Sequence, residues 1–203
     1  MSLRAVAFLV AASATMGCSS AEVEEGTYVA RLTGSDAWVS VVIEGEAAVA
    51  YSCGGAESLE QQTRWMAGTV DGAAIALAGE GWALELEEDE GLLSGALEGP
   101  GGERFSVDTD AVFGGDRPED LRGLFTAVVD GCRAGVIIDE DGAVRGAFCT
   151  EAGFLSQVTP VMPVQQTPDG IPVEAEGPTG VRSFAVRPVD VAAVHAEVAA
   201  DGG

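Results

Sequence analysis

"GTYVARLTGSDAWVSVVIEGEAAVAYSC", residues 26–53, and "GLFTAVVDGCRAGVIIDEDGAVRGAFC", residues 123–149, are two writings of one pattern. At an offset of 97, Gly26, Tyr28, Ala30, Gly34, Ala37, Val39, Gly45 and Tyr51 fall on Gly123, Phe125, Ala127, Gly131, Ala134, Val136, Gly142 and Phe148. A one-residue gap then brings Cys53 onto Cys149. Within each copy, apolar and small residues run in short stretches broken by glycine-containing turns. That is the pattern of strands joined by hairpins.

A second match follows in the same order. "EGPGGERFSV" (98–107) corresponds to "EGPTGVRSFAV" (176–186), with one residue inserted and the offset reduced to about 78. The chain therefore reads as two diverged copies of one β-module, the second shorter by about one hairpin. We place copy 1 at residues 26–113, a linker at 114–122, and the shortened copy 2 at 123–190. The linker "GGDRPEDLR" is charged and contains Pro118, so it reads as exposed.

About eight strands are expected from Thr27 to Asp108. "WALELE" sets Trp82, Leu84 and Leu86 on one face against Ala83, Glu85 and Glu87, and "RFSVD" turns Phe105 and Val107 inward. Asp71-Gly72 is a hairpin signal, because glycine tolerates positive φ. The expected fold is all-β, an antiparallel meander closed as a barrel or stacked as a sandwich. Whether the copies form separate domains or one sheet system is open at this level. "TPVMPVQQTPDGIP" (159–172) reads as an edge strand or irregular wall, since proline cannot donate to a ladder. The tail, 191–203, reads as a short helix capped by Asp190, with Val191, Val194, His195 and Val198 on one face.

Charge narrows the partners. Acidic residues outnumber basic ones by 33 to 10, a formal charge of −23, and every basic residue is arginine. Such a surface repels phosphate backbones and anionic headgroups, so no nucleic acid partner is expected. Apolar residues make up 47% of the chain, enough for a packed core.

The N-terminus, "MSLRAVAFLVAASATMGCSS", begins with Arg4 and runs through small apolar residues from Ala5 to Met16. That run is too short for a permanent span of a hydrocarbon core about 30 Å thick, and it has the layout of an export signal. Its end, "TMGC", resembles the lipobox of bacterial lipoproteins, with Thr15 standing where the family has leucine. The resemblance covers only the first twenty residues. It implies a signal peptide over 1–17, a lipid anchor on Cys18, and a tether over 18–25. Ser19 by the same resemblance implies sorting to the outer membrane, so the expected location is the bacterial cell envelope.

Export favours disulfides. Cys132 and Cys149 flank the second hairpin symmetrically, and a four-residue turn, Asp139 to Gly142, would set them directly opposite each other. Pairing of Cys53 with either remains an alternative. His195, the only histidine, reads as a half-buried packing residue. The acidic runs at 85–91 and 138–142 read as solvated turns; "DEDG" lacks the glutamate that would close a calcium loop. Trp38, Trp65 and Trp82 sit in apolar strand patterns and read as core more readily than as a sugar platform.

No catalytic residue, cofactor or metal ligand is assigned, and no enzymatic activity is expected. The function that fits is a binding or structural module facing an envelope protein or small ligand. A small-molecule carrier, if copy 1 closes as a barrel, and a carboxylate-based hydrolase are the alternatives.

Overall fold

A computed structural model describes residues 23–109, 112–113 and 121–201. Residues 1–17, expected from the sequence to be a signal peptide, Cys18 and most of the linker lie outside the described residues.

Eight strands run as one antiparallel meander: β1 (Gly26–Arg31), β2 (Trp38–Glu44), β3 (Ala47–Cys53), β4 (Arg64–Asp71), β5 (Ala74–Gly79), β6 (Trp82–Asp89), β7 (Leu92–Glu98) and β8 (Arg104–Asp108). A two-residue β9 (Val112–Phe113) lies on the other side of β1, and a one-turn helix, α1 (Leu59–Gln62), joins β3 to β4. The sheet curls until Thr33, just past β1, donates to the Ser106 carbonyl of β8 at 3.0 Å. Curvature needs close approaches between strands. At Gly68 a Cβ would stand 1.9 Å from the Ala76 carbonyl oxygen, so only glycine lets β4 and β5 bend together there.

The second sheet is a closed six-strand barrel: β10 (Gly123–Val129), β11 (Cys132–Ile138), β12 (Val144–Cys149), β13 (Leu155–Pro160), β14 (Ile171–Gly177) and β15 (Gly180–Pro188). Phe125 opposite Pro188 and Thr126 opposite Arg187 close it. Six strands against eight is a deficit of one hairpin. The proline-rich stretch is not an edge strand; its middle is irregular, with Val164 packed on the barrel core. Pro160 ends β13, Pro172 lies near the start of β14, and the residues between form their connection. Closure gives β13 and β14 a neighbour on each side, which confines proline to strand ends.

A C-terminal helix, α2 (Val191–Asp201), completes the fold. Asp190 Oδ1 accepts from the Ala193 amide at 2.9 Å and caps it. No described helix is long and apolar enough to cross a membrane.

There are three apolar layers rather than two. Tyr28, Val39, Val41, Met66, Leu84 and Leu97 fill the curled first sheet. Phe125, Val136, Phe148 and Val173 fill the closed barrel. Between them, Val29, Trp38, Val42, Val49, Tyr51 and Cys53, on the outer face of the first sheet, meet Leu124, Ile137 and Ala147 of the barrel and Val191 and Val194 of α2. The copies are thus separate sheets that share a core.

Register explains why the copies use their faces differently. Tyr28 lies opposite Val41, whereas its counterpart Phe125 lies opposite Val136, two residues short of Ile138, which matches Val41 in sequence. An even slip keeps the faces. In the next hairpin Val39 lies opposite Ser52, but Val136 lies opposite Gly146, three residues short of the sequence match. An odd slip reverses them. Tyr51 therefore faces the shared layer, while its sequence match Phe148 faces its own barrel interior. The cause is the turn: Glu44 pairs with Ala47 around two residues, whereas Ile138 pairs with Val144 around five.

At the centre of the shared layer the Tyr51 ring lies on Gly135 of β11, so closely that a Cβ there would come within 2.5 Å of Cε1. The substitution Gly135→Ala overpacks this contact and is expected to cost about 1–3 kcal/mol. The urea midpoint of unfolding should fall accordingly. Because the layer ties both sheets together, calorimetry should show one transition rather than two.

Candidate functional site

The junction of the sheet, the barrel and α2 leaves a cleft of about 610 Å³. Trp65, Arg64 and Thr63 line it from the first sheet, and Arg133, Ala147, Phe154 and Leu155 from the barrel. Glu197 and Val198 of α2 close a third side, with Glu60 and Glu80 also at its boundary. Its volume lies in the range of sites for small organic molecules.

Each wall is held by identifiable contacts. Trp65 packs on Tyr51 with ring centroids 4.5 Å apart, and its Nε1 donates to the Arg133 carbonyl at 3.4 Å. Arg133 reaches Glu197 on α2 through Nε at 3.2 and 3.3 Å, and its Nη2 also bonds that carboxylate. Arg64 pairs with Glu80 at 3.2 Å and donates to the Thr63 carbonyl at 2.5 Å. Both guanidiniums are therefore paired with carboxylates of the protein itself.

The disulfide Cys132–Cys149 is present, with Cα atoms 5.6 Å apart, and both cysteines line the cleft. It does not arise from a four-residue turn. Asp139 Oδ1 accepts from the Asp141 amide at 3.0 Å and the Ala143 amide at 2.8 Å, drawing Ala143 into a five-residue loop. The ladder between β11 and β12 then stops at Gly135 and Ala147. Beyond that point the bridge joins strands that no longer pair with each other, with Cys149 Sγ 3.4 Å from the Arg133 carbonyl.

Cys53 is free and fully buried in the shared layer. Burial pushes its thiol up to about 11, against the weaker opposing effects of Tyr51, Arg145 and Thr63. Burial also drives the Tyr51 phenol well above its ordinary range. Neither group is ionised at neutral pH, so Cys53 is not an activated nucleophile. His195 is half-buried on α2, with Nε2 3.2 Å from the Gly68 carbonyl, a tie between helix and sheet.

Trp82 is buried inside the first sheet, stacked on Phe105 at 6.4 Å. Trp38 is buried in the shared layer, with the guanidiniums of Arg31 and Arg145 over it at 4.8 and 5.6 Å. Only Trp65 reaches the cleft. The acidic run at 138–142 forms a turn, and Asp139 bonds Arg31 across the two copies at 3.1 Å. Among the described residues, no group of three or more His, Cys, Asp or Glu is placed to hold a metal ion.

Asp36 organises the loop before α1. Its carboxylate accepts from the Gly55 amide at 3.2 Å, the Glu57 amide at 2.9 Å and the Ser58 hydroxyl. The Ser58 bond, then the Glu57 amide, hold its pKa below the ordinary carboxylate range.

Sequence reasoning found the disulfide but not the cleft, because Trp65, Arg133 and Glu197 lie far apart in the chain and meet only when the copies dock. The chain matches none of the known protein-family models, curated proteins or solved structures.

Two measurements check this geometry. Iodoacetamide at pH 8 should leave Cys53 unmodified in the native protein and alkylate it in denaturant without reductant, with Cys132 and Cys149 labelled only after reduction, as read by peptide mass spectrometry. Asp36 has a depressed folded pKa, so its stabilisation is present above the unfolded value of about 4 and lost as pH falls through the folded one. Asp36→Asn should therefore lower the melting temperature at pH 7 and narrow its gap to wild type as pH drops below about 4.

Proposed function

We propose that this is an exported protein, held at the bacterial outer membrane by acyl chains on Cys18, that acts without catalysis as a binding module for a small ligand in the inter-copy cleft. The cleft is the observation that carries the reading. It is concave, has an indole on one wall, and is framed by three elements that each copy alone could not assemble. The lipobox-like "TMGC" supports the anchor. The tether from Cys18 to β1 reaches at most about 25–30 Å, keeping the module near the membrane.

A ligand inside the first sheet is disfavoured, because Tyr28, Met66, Leu84 and Leu97 occupy that interior with no exposure to solvent. A carrier role therefore shifts from the barrel interior to the cleft. The cleft's chemistry selects a flat apolar group against Trp65, carried by a neutral or cationic molecule. Glu60, Glu80 and Glu197 outnumber Arg64 and Arg133 around it, and the whole surface is acidic.

Two experiments test the reading. Cells expressing the chain should incorporate labelled palmitate, and Cys18→Ser should abolish the label; survival of the label in that variant would overturn the anchor. For the cleft, the purified protein is titrated with benzyltrimethylammonium, benzyl alcohol and benzoate while the tryptophan indole resonances are followed. The cation should bind more tightly than the alcohol, and benzoate most weakly. Trp65→Leu should abolish binding. If none of the three shifts the Trp65 indole, the cleft reading fails.

A further inference from the structure

We propose that the Cys132–Cys149 disulfide is a redox latch on the cleft, whose reduction loosens one wall and weakens ligand binding while leaving both sheets folded. The proposal rests on reading the cleft as the ligand site and adds a control to it.

Both cysteines are half-buried and line the cleft, so the bond stands where a dissolved or protein dithiol can approach it. Its position in the seam is the second element. The β11–β12 ladder holds from Ile138–Val144 only to Gly135–Ala147. Residues 132–134 and 148–149 lie past the end of that ladder, and the disulfide is what joins them covalently. Each strand is otherwise secured from its far side. β11 pairs with β10 along its whole length, from Cys132 to Ile138, and Cys149 pairs with Leu155 of β13. Loss of the bridge therefore opens a seam without removing a strand.

What the seam holds is Arg133, next to Cys132. Its carbonyl receives the Trp65 indole, and its side chain grips Glu197 of α2 and approaches Thr126 Oγ1 at 3.4 Å. Through this residue, the strand end that the disulfide ties to β12 touches both the indole wall and the helical wall. The first copy shows that the module forms its sheet without such a bond, since Ser35 aligns with Cys132 and Cys53 is unpaired. The bridge is thus surplus to forming a sheet, and among the two copies only the second carries it, on its wall of the cleft.

The step balances as thiol–disulfide exchange. A thiolate of the dithiol attacks one sulfur, the Cys132–Cys149 bond breaks, and a mixed disulfide forms. The second thiol of the dithiol then displaces the remaining cysteine. Two electrons and two protons pass to Cys132 and Cys149, and the dithiol leaves as a disulfide. Reoxidation reverses the exchange.

The test uses the full-length protein in detergent, oxidised or treated with dithiothreitol, beside the double variant Cys132→Ser/Cys149→Ser. Amide hydrogen exchange, strand circular dichroism and benzyltrimethylammonium affinity are read for each. Reduction should raise exchange about tenfold or more at 132–134, 149–150 and 194–199, leave exchange in the first sheet's interior strands unchanged, and weaken the probe severalfold. The double variant should match the reduced form under both conditions. Unchanged exchange on reduction overturns the latch. So does a rise throughout both sheets with loss of circular dichroism, which would make the bond a global staple. A local rise with unaltered probe affinity overturns it as well. If the probe binds neither form, the cleft reading fails and the latch falls with it; if it binds both forms equally, the cleft reading stands and the latch alone fails.

Discussion

The contact on which the rest of the structure depends is the Tyr51 ring laid against Gly135. It sits in the layer where the outer face of one curled sheet meets the outer face of a closed barrel. Burying one large apolar side chain is worth about 1.5–3 kcal/mol, and a whole domain is stable by about 5–15 kcal/mol. Val29, Trp38, Val42, Val49 and Tyr51 together thus represent a burial term as large as the stability of an ordinary domain. Exposing this layer to water would forfeit a term of that size. The shared layer joins the two sheets, and the cleft lies where their curved surfaces diverge beyond the contact.

Much of the fold was legible in the chain. The alternation in "WALELE" put Trp82, Leu84 and Leu86 inside, and all three are buried there. The repeat fixed the order of elements, and Asp190 marked the start of the final helix. Period-two alternation identifies strands and their faces as long as only one face is buried. It fails where both are. β2 and β3 are buried along almost their full length, so "WVSVVI" and "AVAYSC" carry no charge to distinguish interior from interface. Those uncharged runs are themselves the signal that another surface covers the outer face, and they stand out against β5 and β6, which alternate strictly.

Register was harder to read than strand content. A turn can absorb residues without any change in the apolar pattern on either side of it. Asp139 does this by bonding the Asp141 and Ala143 amides, lengthening the turn to five residues where glycine and charge pattern pointed to four. One added residue shifts the ladder by one and turns every side chain over. The cysteines still meet because the ladder ends before reaching them, leaving Cys132 and Cys149 at liberty to close the gap. The disulfide was legible from compartment and spacing, but the geometry that permits it was not.

The slip of three residues relative to copy 1, also odd, accounts for the asymmetry between the copies. Had both hairpins kept one register, Phe148 would face the shared layer as Tyr51 does, and two large aromatic rings would compete for the space over Gly135. Instead Phe148 turns into its own barrel and packs near Phe184 at 5.8 Å, and the β12 residues facing the first sheet are the small Ala147 and the long Arg145, which reaches over Trp38. A large residue on one copy meets a small one on the other, which lets two related surfaces interlock. Divergence in a single turn thus converted a repeated module into a complementary pair, and complementarity at the centre set where the edges part to form the cleft.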